Sequence, residues 1–298
     1  MNDDAVAPVV AAMLLLAIVV TFFAAWNAYY VPSMKAQSEI THLKEIEDRF
    51  LRFSSDIETA ASLKKNLKFS EPVALGGGDF TFDSAKSGGM LSILGEREGY
   101  MNITIINGTS PRTTSNILRF ANYSYQPVNN FWQDQGYAWS YGMVNVTKGT
   151  LATPLQYARM DEVSYGVTGA LFDLDAVPSI EDSSRCSQMN VYIVNLTPDP
   201  GHTLASGNGN GMLVMESTVM GRQFFNATSL TVRINPDLPV GFRDALWDSV
   251  NRRVNESLSC GNVHATPDPS TLKISMEFDA IPNMTVNRKI TEITLGAY

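Results

Sequence analysis

The sequence predicts an α+β protein with three parts: an N-terminal transmembrane helix, an amphipathic stalk helix, and a mostly antiparallel, β-sandwich-like domain with one inserted helix. Three observations carry this expectation. Ala5 to Trp26 contains no charged residue. Ser33 to Lys68 repeats its apolar side chains at steps of three and four, the period of one face of an α-helix. From Phe69 onward, short stretches rich in Val, Ile, Thr and Phe alternate with glycine clusters, as strands alternate with turns.

The first segment, residues 1–32, reads AVAPVVAAMLLLAIVVTFFAAW across its apolar run. About 20 apolar residues in a helix cross a hydrocarbon core, so Ala5, Pro8, Leu14, Phe22 and Trp26 are expected on a membrane helix. Phe22, Phe23, Trp26, Tyr29 and Tyr30 gather at one end, where an interfacial aromatic belt would lie. A cleaved secretory signal would carry a basic start and a shorter apolar core, whereas no Lys or Arg precedes Lys35 here. The core helix of a soluble domain is the bland alternative.

Pro32 punctuates the run, and the stalk, residues 33–68, follows. Ile40, Leu43, Ile46, Phe50, Phe53, Ile57 and Ala60 form a single stripe. Glu45 with Arg49 and Asp48 with Arg52 stand four apart on the polar side. The stripe must bury itself against the C-terminal domain or against other copies. Ile40, Leu43, Ile46, Phe50, Phe53 and Ile57 are expected as a helix–helix contact surface.

The third part, residues 69–298, is long enough for a sizeable core, with a subdivision near 178–184 as an option. Alternation or β-rich composition predicts strands at 79–82, 101–105, 117–125, 142–146, 166–174, 189–196, 212–219, 229–234, 272–278 and 286–295. Phe242, Leu246, Val250 and Val254 fall on one face of a helix over 239–257, started by Asp237 or Gly241.

A net charge of −8 disfavours a nucleic-acid surface, which needs a basic face to neutralise phosphates. An acidic body also gains little from anionic headgroups, so the apolar helix must supply the attachment to membrane lipid. The two cysteines, Cys186 and Cys260, are either buried thiols or a disulfide closing a loop of about 75 residues, a cross-link worth about 4 kcal/mol by chain entropy. Eight N-x-S/T triplets, at Asn102, Asn107, Asn122, Asn145, Asn195, Asn226, Asn255 and Asn283, are more than twice what the Asn, Ser and Thr content yields by chance. As candidate N-glycosylation sites they place the body on the translocated side. Lys35 and Lys44 pull weakly the other way, but long domains translocate largely regardless of charge.

No catalytic constellation emerges, no cofactor is implied, and the chain is not expected to be an enzyme. His42, His202 and His264 share no metal-ligand spacing, and neither HExxH nor CxxC occurs. There is no G-x-S-x-G elbow. Ser206 to Gly211 is glycine-rich without the Lys-Ser/Thr of a phosphate loop and reads as a hairpin turn. Asp173, Asp175, Glu181 and Asp182 lack EF-hand spacing and read as a solvated acidic loop rather than a calcium site. Tyr123, Tyr125, Phe131, Trp132, Tyr137, Trp139 and Tyr141 suit either cross-strand packing or stacking on a glycan.

The segment Asp3-Asp4-Ala5-Val6-Ala7-Pro8-Val9-Val10-Ala11-Ala12-Met13-Leu14-Leu15-Leu16 resembles the N-terminus of archaeal type IV pilins. That family carries a charged pair, a Val-Ser-Pro-Val-like tetrapeptide and a Met/Leu/Ile/Val-rich helix; Ala7 stands where Ser is usual. Tyr30-Val31-Pro32-Ser33, Leu118-Arg119-Phe120 and Tyr125-Gln126-Pro127 are similar to large pilin-like membrane proteins. The resemblance implies a helix stored in the membrane and, in true pilins, drawn out to form a filament core after a basic leader is removed. Only Met1 and Asn2 precede Asp3, which leaves processing open. The expected function is a cell-surface structural or interaction protein, its partners other copies or other pilin-like subunits. The alternative is a monomeric anchored module that binds a glycan or an envelope protein.

Overall fold

The computed structural model describes residues 6–77, 87–108, 113–128, 134–155, 167–280 and 283–298. One apolar helix leads into a mostly antiparallel β-sheet domain. Helix α1 (Val6–Ala25) passes through a π-turn (Trp26–Tyr30) directly into α2 (Val31–Leu63). The stalk thus continues from the apolar segment, with Pro32 inside the first turn of α2. A proline inside a helix removes a donor and crowds the carbonyl four residues back. Here the preceding turn widens, and the Val31 N–H bonds to the Trp26 carbonyl five residues back. Helix α2 stops where Lys64 turns left-handed, φ 51° and ψ 47°, its N–H on the Ala60 carbonyl. The stalk therefore ends several residues before Lys68, which lies in the first strand.

The described residues then form β1 (Leu67–Ala74), β2 (Gly88–Gly95), β3 (Met101–Asn107), β4 (Thr113–Leu118), β5 (Ala121–Val128), β6 (Gly136–Ser140), β7 (Met143–Lys148) and β8 (Leu151–Pro154). After these come β9 (Phe172–Pro178), β10 (Cys186–Pro198), β11 (Leu204–Gly207), β12 (Asn210–Ile234), helix α3 (Val240–Ser257), β13 (Val263–Asp268), β14 (Lys273–Phe278) and β15 (Met284–Ala297). The stretch expected as a strand over 117–125 breaks at Arg119 and Phe120, and 167–171 is helical. The strand expected at 79–82 lies outside the described residues.

Strand β12 is the spine of a nine-stranded sheet. Ala227 faces Asn107 of β3 on one edge and Met284 of β15 on the other. Its first half pairs β1 and β15, its second half β3 and β14. The register shifts on both sides of Ala227, and Asn226 sits at φ 54°. Such bulges bend a strand. Beyond this one the sheet turns over itself, so that Arg288 of β15 reaches Asn116 of β4. Two separate strands, 212–219 and 229–234, are thereby corrected to one bent strand. Parallel pairing occurs between β10 and β15.

The second sheet runs β11-β2-β5-β6-β7-β8. Tyr141 and Gly142, both at positive φ, make the two-residue turn from β6 to β7. Ser206–Gly211 is not a hairpin turn, because β11 belongs to this sheet and β12 to the other. One core cluster extends in sequence from Leu43 to Ala297 and joins α2, both sheets and α3.

Candidate functional site: the apolar helix and its lock on the domain

Helix α1 has 20 residues, about 30 Å at 1.5 Å per residue, the thickness of a hydrocarbon core. No residue from Pro8 to Tyr30 is buried, and Leu14 and Phe22 are 61% and 62% exposed. Pro8, Leu14, Phe22 and Trp26 thus lie on a helix with apolar side chains on every face; Ala5 lies outside the described residues. The Thr21 hydroxyl bonds to the Ala17 carbonyl and the Asn27 amide to the Phe23 carbonyl, so these polar side chains are satisfied inside the helix. Rings of Phe22, Trp26 and Tyr30 follow one another down one side, with centroids 6.2 and 4.2 Å apart. This helix is long and apolar enough to span a membrane once.

The stalk stripe has a different use from the one expected. Leu43, Ile46, Phe50, Phe53 and Ile57 are each 3% exposed or less, packed into the chain's own core; only Ile40, at 40%, faces outward. The helix–helix assignment is corrected accordingly: these side chains pack α2 into the core between the two sheets, Phe50 and Phe53 against aromatics of the second. Tyr123 and Tyr125 alternate inward on β5, Tyr137 and Trp139 on β6. Phe50 and Phe53 meet the Tyr123 ring at 5.0 and 5.1 Å between centroids.

Each of those four aromatics also turns its polar end to α2 or to the chain beside it. Tyr123 donates to the Phe50 carbonyl at 3.0 Å, Tyr137 to Glu47 at 3.1 Å, and the Trp139 indole to the Ser54 hydroxyl at 2.8 Å. Tyr125 donates to the Leu75 carbonyl at 3.0 Å and lies 3.1 Å from His42 Nε2. Burial raises all three tyrosines, Tyr137 to about 12. Burial lowers His42, against the raising pull of Glu45 and Glu39. His42 is therefore a core histidine, not a solvated one. Tyr123, Tyr125, Tyr137 and Trp139 of the aromatic segment likewise line the core, Tyr141 is half-buried, and Phe131 and Trp132 lie outside the described residues. Sequence reasoning missed this lock, although the spacing of 123 with 125 and 137 with 139 is that of one strand face.

The remaining candidates are scattered. Cys186 and Cys260 are buried and disulfide-bonded, with Cα atoms 5.5 Å apart, tying the start of β10 to the segment after α3. Of the eight sequons, Asn255 and Asn283 are exposed, while Asn102, Asn107, Asn122, Asn145, Asn195 and Asn226 are half-buried. Asn195 uses both ends of its amide, donating to Glu292 at 2.7 Å and accepting from the Arg119 N–H at 2.6 Å. Asp173 pairs with Lys64 and Arg253, Asp175 accepts from Asn190, and Asp182 caps Ser184, so these carboxylates serve separate structural contacts. His202 bonds to Asp199 and stacks on Tyr298; His264 faces Asp279 at 3.3 Å. Comparison with protein families, with characterised proteins and with solved structures returns no match.

Proposed function

We propose that this chain is a cell-surface structural and interaction protein, similar to archaeal pilin-like proteins, held in or assembled through α1. Its β domain, read as sandwich-like, is displayed outside the membrane. The carrying observation is the pair of unlike halves of one continuous helix. The first half is apolar and exposed on every side, and the second is bolted into a folded domain. An apolar helix of this length has no stable place in water, so lipid or like helices must cover it. Because α2 has spent its stripe internally, α1 is the surface left for bundling. The same fact favours the second reading, a monomeric anchored module for a glycan or envelope component.

The disulfide supports export, because such bonds persist in oxidising compartments. The exposed Asn255 and Asn283 are the best-placed glycan acceptors. Mass spectrometry of protein from its native envelope tests the reading. A mature start within residues 1–5, hexose on Asn255 or Asn283, and cysteines that alkylate only after reduction are expected. Cysteines alkylated without reduction, together with no added mass, would place the domain on the cytoplasmic side and overturn it.

A further inference from the structure

Arg222 of β12 and Arg288 of β15 stand directly opposite each other. Like charges in opposed positions repel. Both guanidinium groups lie beside one ring, their Cζ atoms 5.2 and 5.4 Å from the Phe224 centroid. Arg288 is only 8% exposed; its Nη1 donates to Asn116 Oδ1 of β4, and its buried Nε has no acceptor. Among the described residues, neither arginine has a carboxylate within ion-pair distance. Scarcity is not the cause, because the chain holds 30 acidic residues against 22 Lys and Arg.

The pair sits where the nine-stranded sheet folds over, just before the double register shift at Ala227. Arg222 is exposed, and Arg288 is buried with its Nη1 on Asn116 of β4. Met220, 52% exposed, and its half-buried partner Ile290 extend the same face outward. Burial and the neighbouring Arg222 both act against the charged form of Arg288. A buried cation with one neutral acceptor and a like-charged neighbour is costly unless a counter-charge joins it.

We propose that Arg222 and Arg288, with Asn116 and the Phe224 ring, form a binding site for an oxyanion, a carboxylate or sulfate group. Such a group between two guanidinium forks accepts charge-assisted hydrogen bonds and cancels the repulsion. The same chemistry is met in free inorganic sulfate and in acidic sugars. An apolar shelf of Met220 and Ile290 beside the arginines suits the sugar, whose ring carries C–H faces. The site does not depend on the membrane reading, since none of these residues lies on α1 or α2.

The test uses the full chain in nanodiscs of zwitterionic lipid, titrated with sodium sulfate, sodium glucuronate and sodium chloride at matched ionic strength. Thermal unfolding and calorimetry follow binding. Saturable binding of sulfate or glucuronate, absent with chloride, is expected, and Arg222→Gln should weaken it at least tenfold. Tighter glucuronate assigns the site to acidic sugars, tighter sulfate to the inorganic ion. Equal, unsaturable effects of all three salts, or unchanged binding by Arg222→Gln, would overturn the proposal. Arg222 is exposed and makes no ion pair among the described residues, so Arg222→Gln is expected to keep the fold, and the result does not hang on whether Arg288→Gln folds.

Discussion

The Trp139 indole N–H donates to the Ser54 hydroxyl at 2.8 Å in surroundings where Trp139 has no exposed surface. This bond ties β6 to α2 across the core. Removing the acceptor strands a buried donor, which costs about 1–3 kcal/mol. Ser54→Ala should therefore destabilise the domain by that amount without altering its secondary structure. Chemical denaturation followed by tryptophan fluorescence measures it. An unchanged midpoint would mean that water or another group replaces Ser54.

Phe50 separates folding from assembly. It is fully buried between Tyr123 and Tyr137, not presented to a partner. Phe50→Ala should cost about 3–5 kcal/mol by opening a cavity, and Phe50→Asp should abolish folding. The expected readout is loss of near-ultraviolet circular dichroism in monomeric protein. A folded Phe50→Asp chain that merely fails to associate would restore the stripe as a subunit contact.

His42 makes stability depend on pH. Burial holds its folded value below the ordinary 6.5, so the unfolded chain binds the proton more readily. Stability from the neutral ring is complete above pH 6.5 and is lost as pH falls through 6.5 toward the lowered folded value. Glu39 and Glu45 on the same helix temper the effect, and Tyr125 faces the ring from β5. Asp56 and Glu58 are raised by burial and add the opposite slope from their ordinary carboxylate values up toward the raised ones, which is why the His42→Gln comparison, not the wild-type curve alone, isolates the His42 contribution. Wild-type chain should lose stability between pH 7.5 and 5.5, and His42→Gln should lose less. Equal losses would assign the dependence elsewhere.

How far the sequence could be read follows from what each signal records. A run of 22 uncharged residues states its own chemistry, and α1 needed no partner to be recognised. The stripe on α2 was equally plain, but periodicity records that a face is buried, not what covers it. The aromatic positions 123, 125, 137 and 139 suffered the same ambiguity, since an inward strand face and a stacking platform share one pattern. Pro32 marks the junction in the sequence, but the widened turn that absorbs it depends on backbone geometry, not on composition. Strand β12 was split because Gly221 and the Asn226 bulge interrupt alternation, while the pairing on its two edges carries the strand through. The Arg222–Arg288 pair left no local signal, because 66 positions separate two residues that only register brings together.

The disulfide ties residues 74 apart in sequence, between the start of β10 and the end of the α3 segment. By the chain-entropy model its removal should cost about 4 kcal/mol. Cys186→Ala with Cys260→Ala should therefore lower the melting temperature markedly and loosen α3, seen as faster amide exchange across Phe242 to Val254. Protection unchanged in α3 would show that packing of Phe242 on Phe120 and Tyr141 holds the helix unaided.

Helix α1 stands outside the packed core of the domain. No residue from Pro8 to Tyr30 is buried, whereas the core begins with Glu39, His42 and Leu43 on α2. A chain starting at Val31 should then be soluble and monomeric, with a melting temperature close to that of the full protein. Phe50→Ala in the same shortened chain should still show its full penalty, because both partners of that contact remain. Full-length chain in detergent, by contrast, should associate through α1 if it serves a filament and stay monomeric if it serves as an anchor. Aggregation of the shortened chain would mean that α1 shields part of the domain, and the two halves of the helix could no longer be assigned separate tasks.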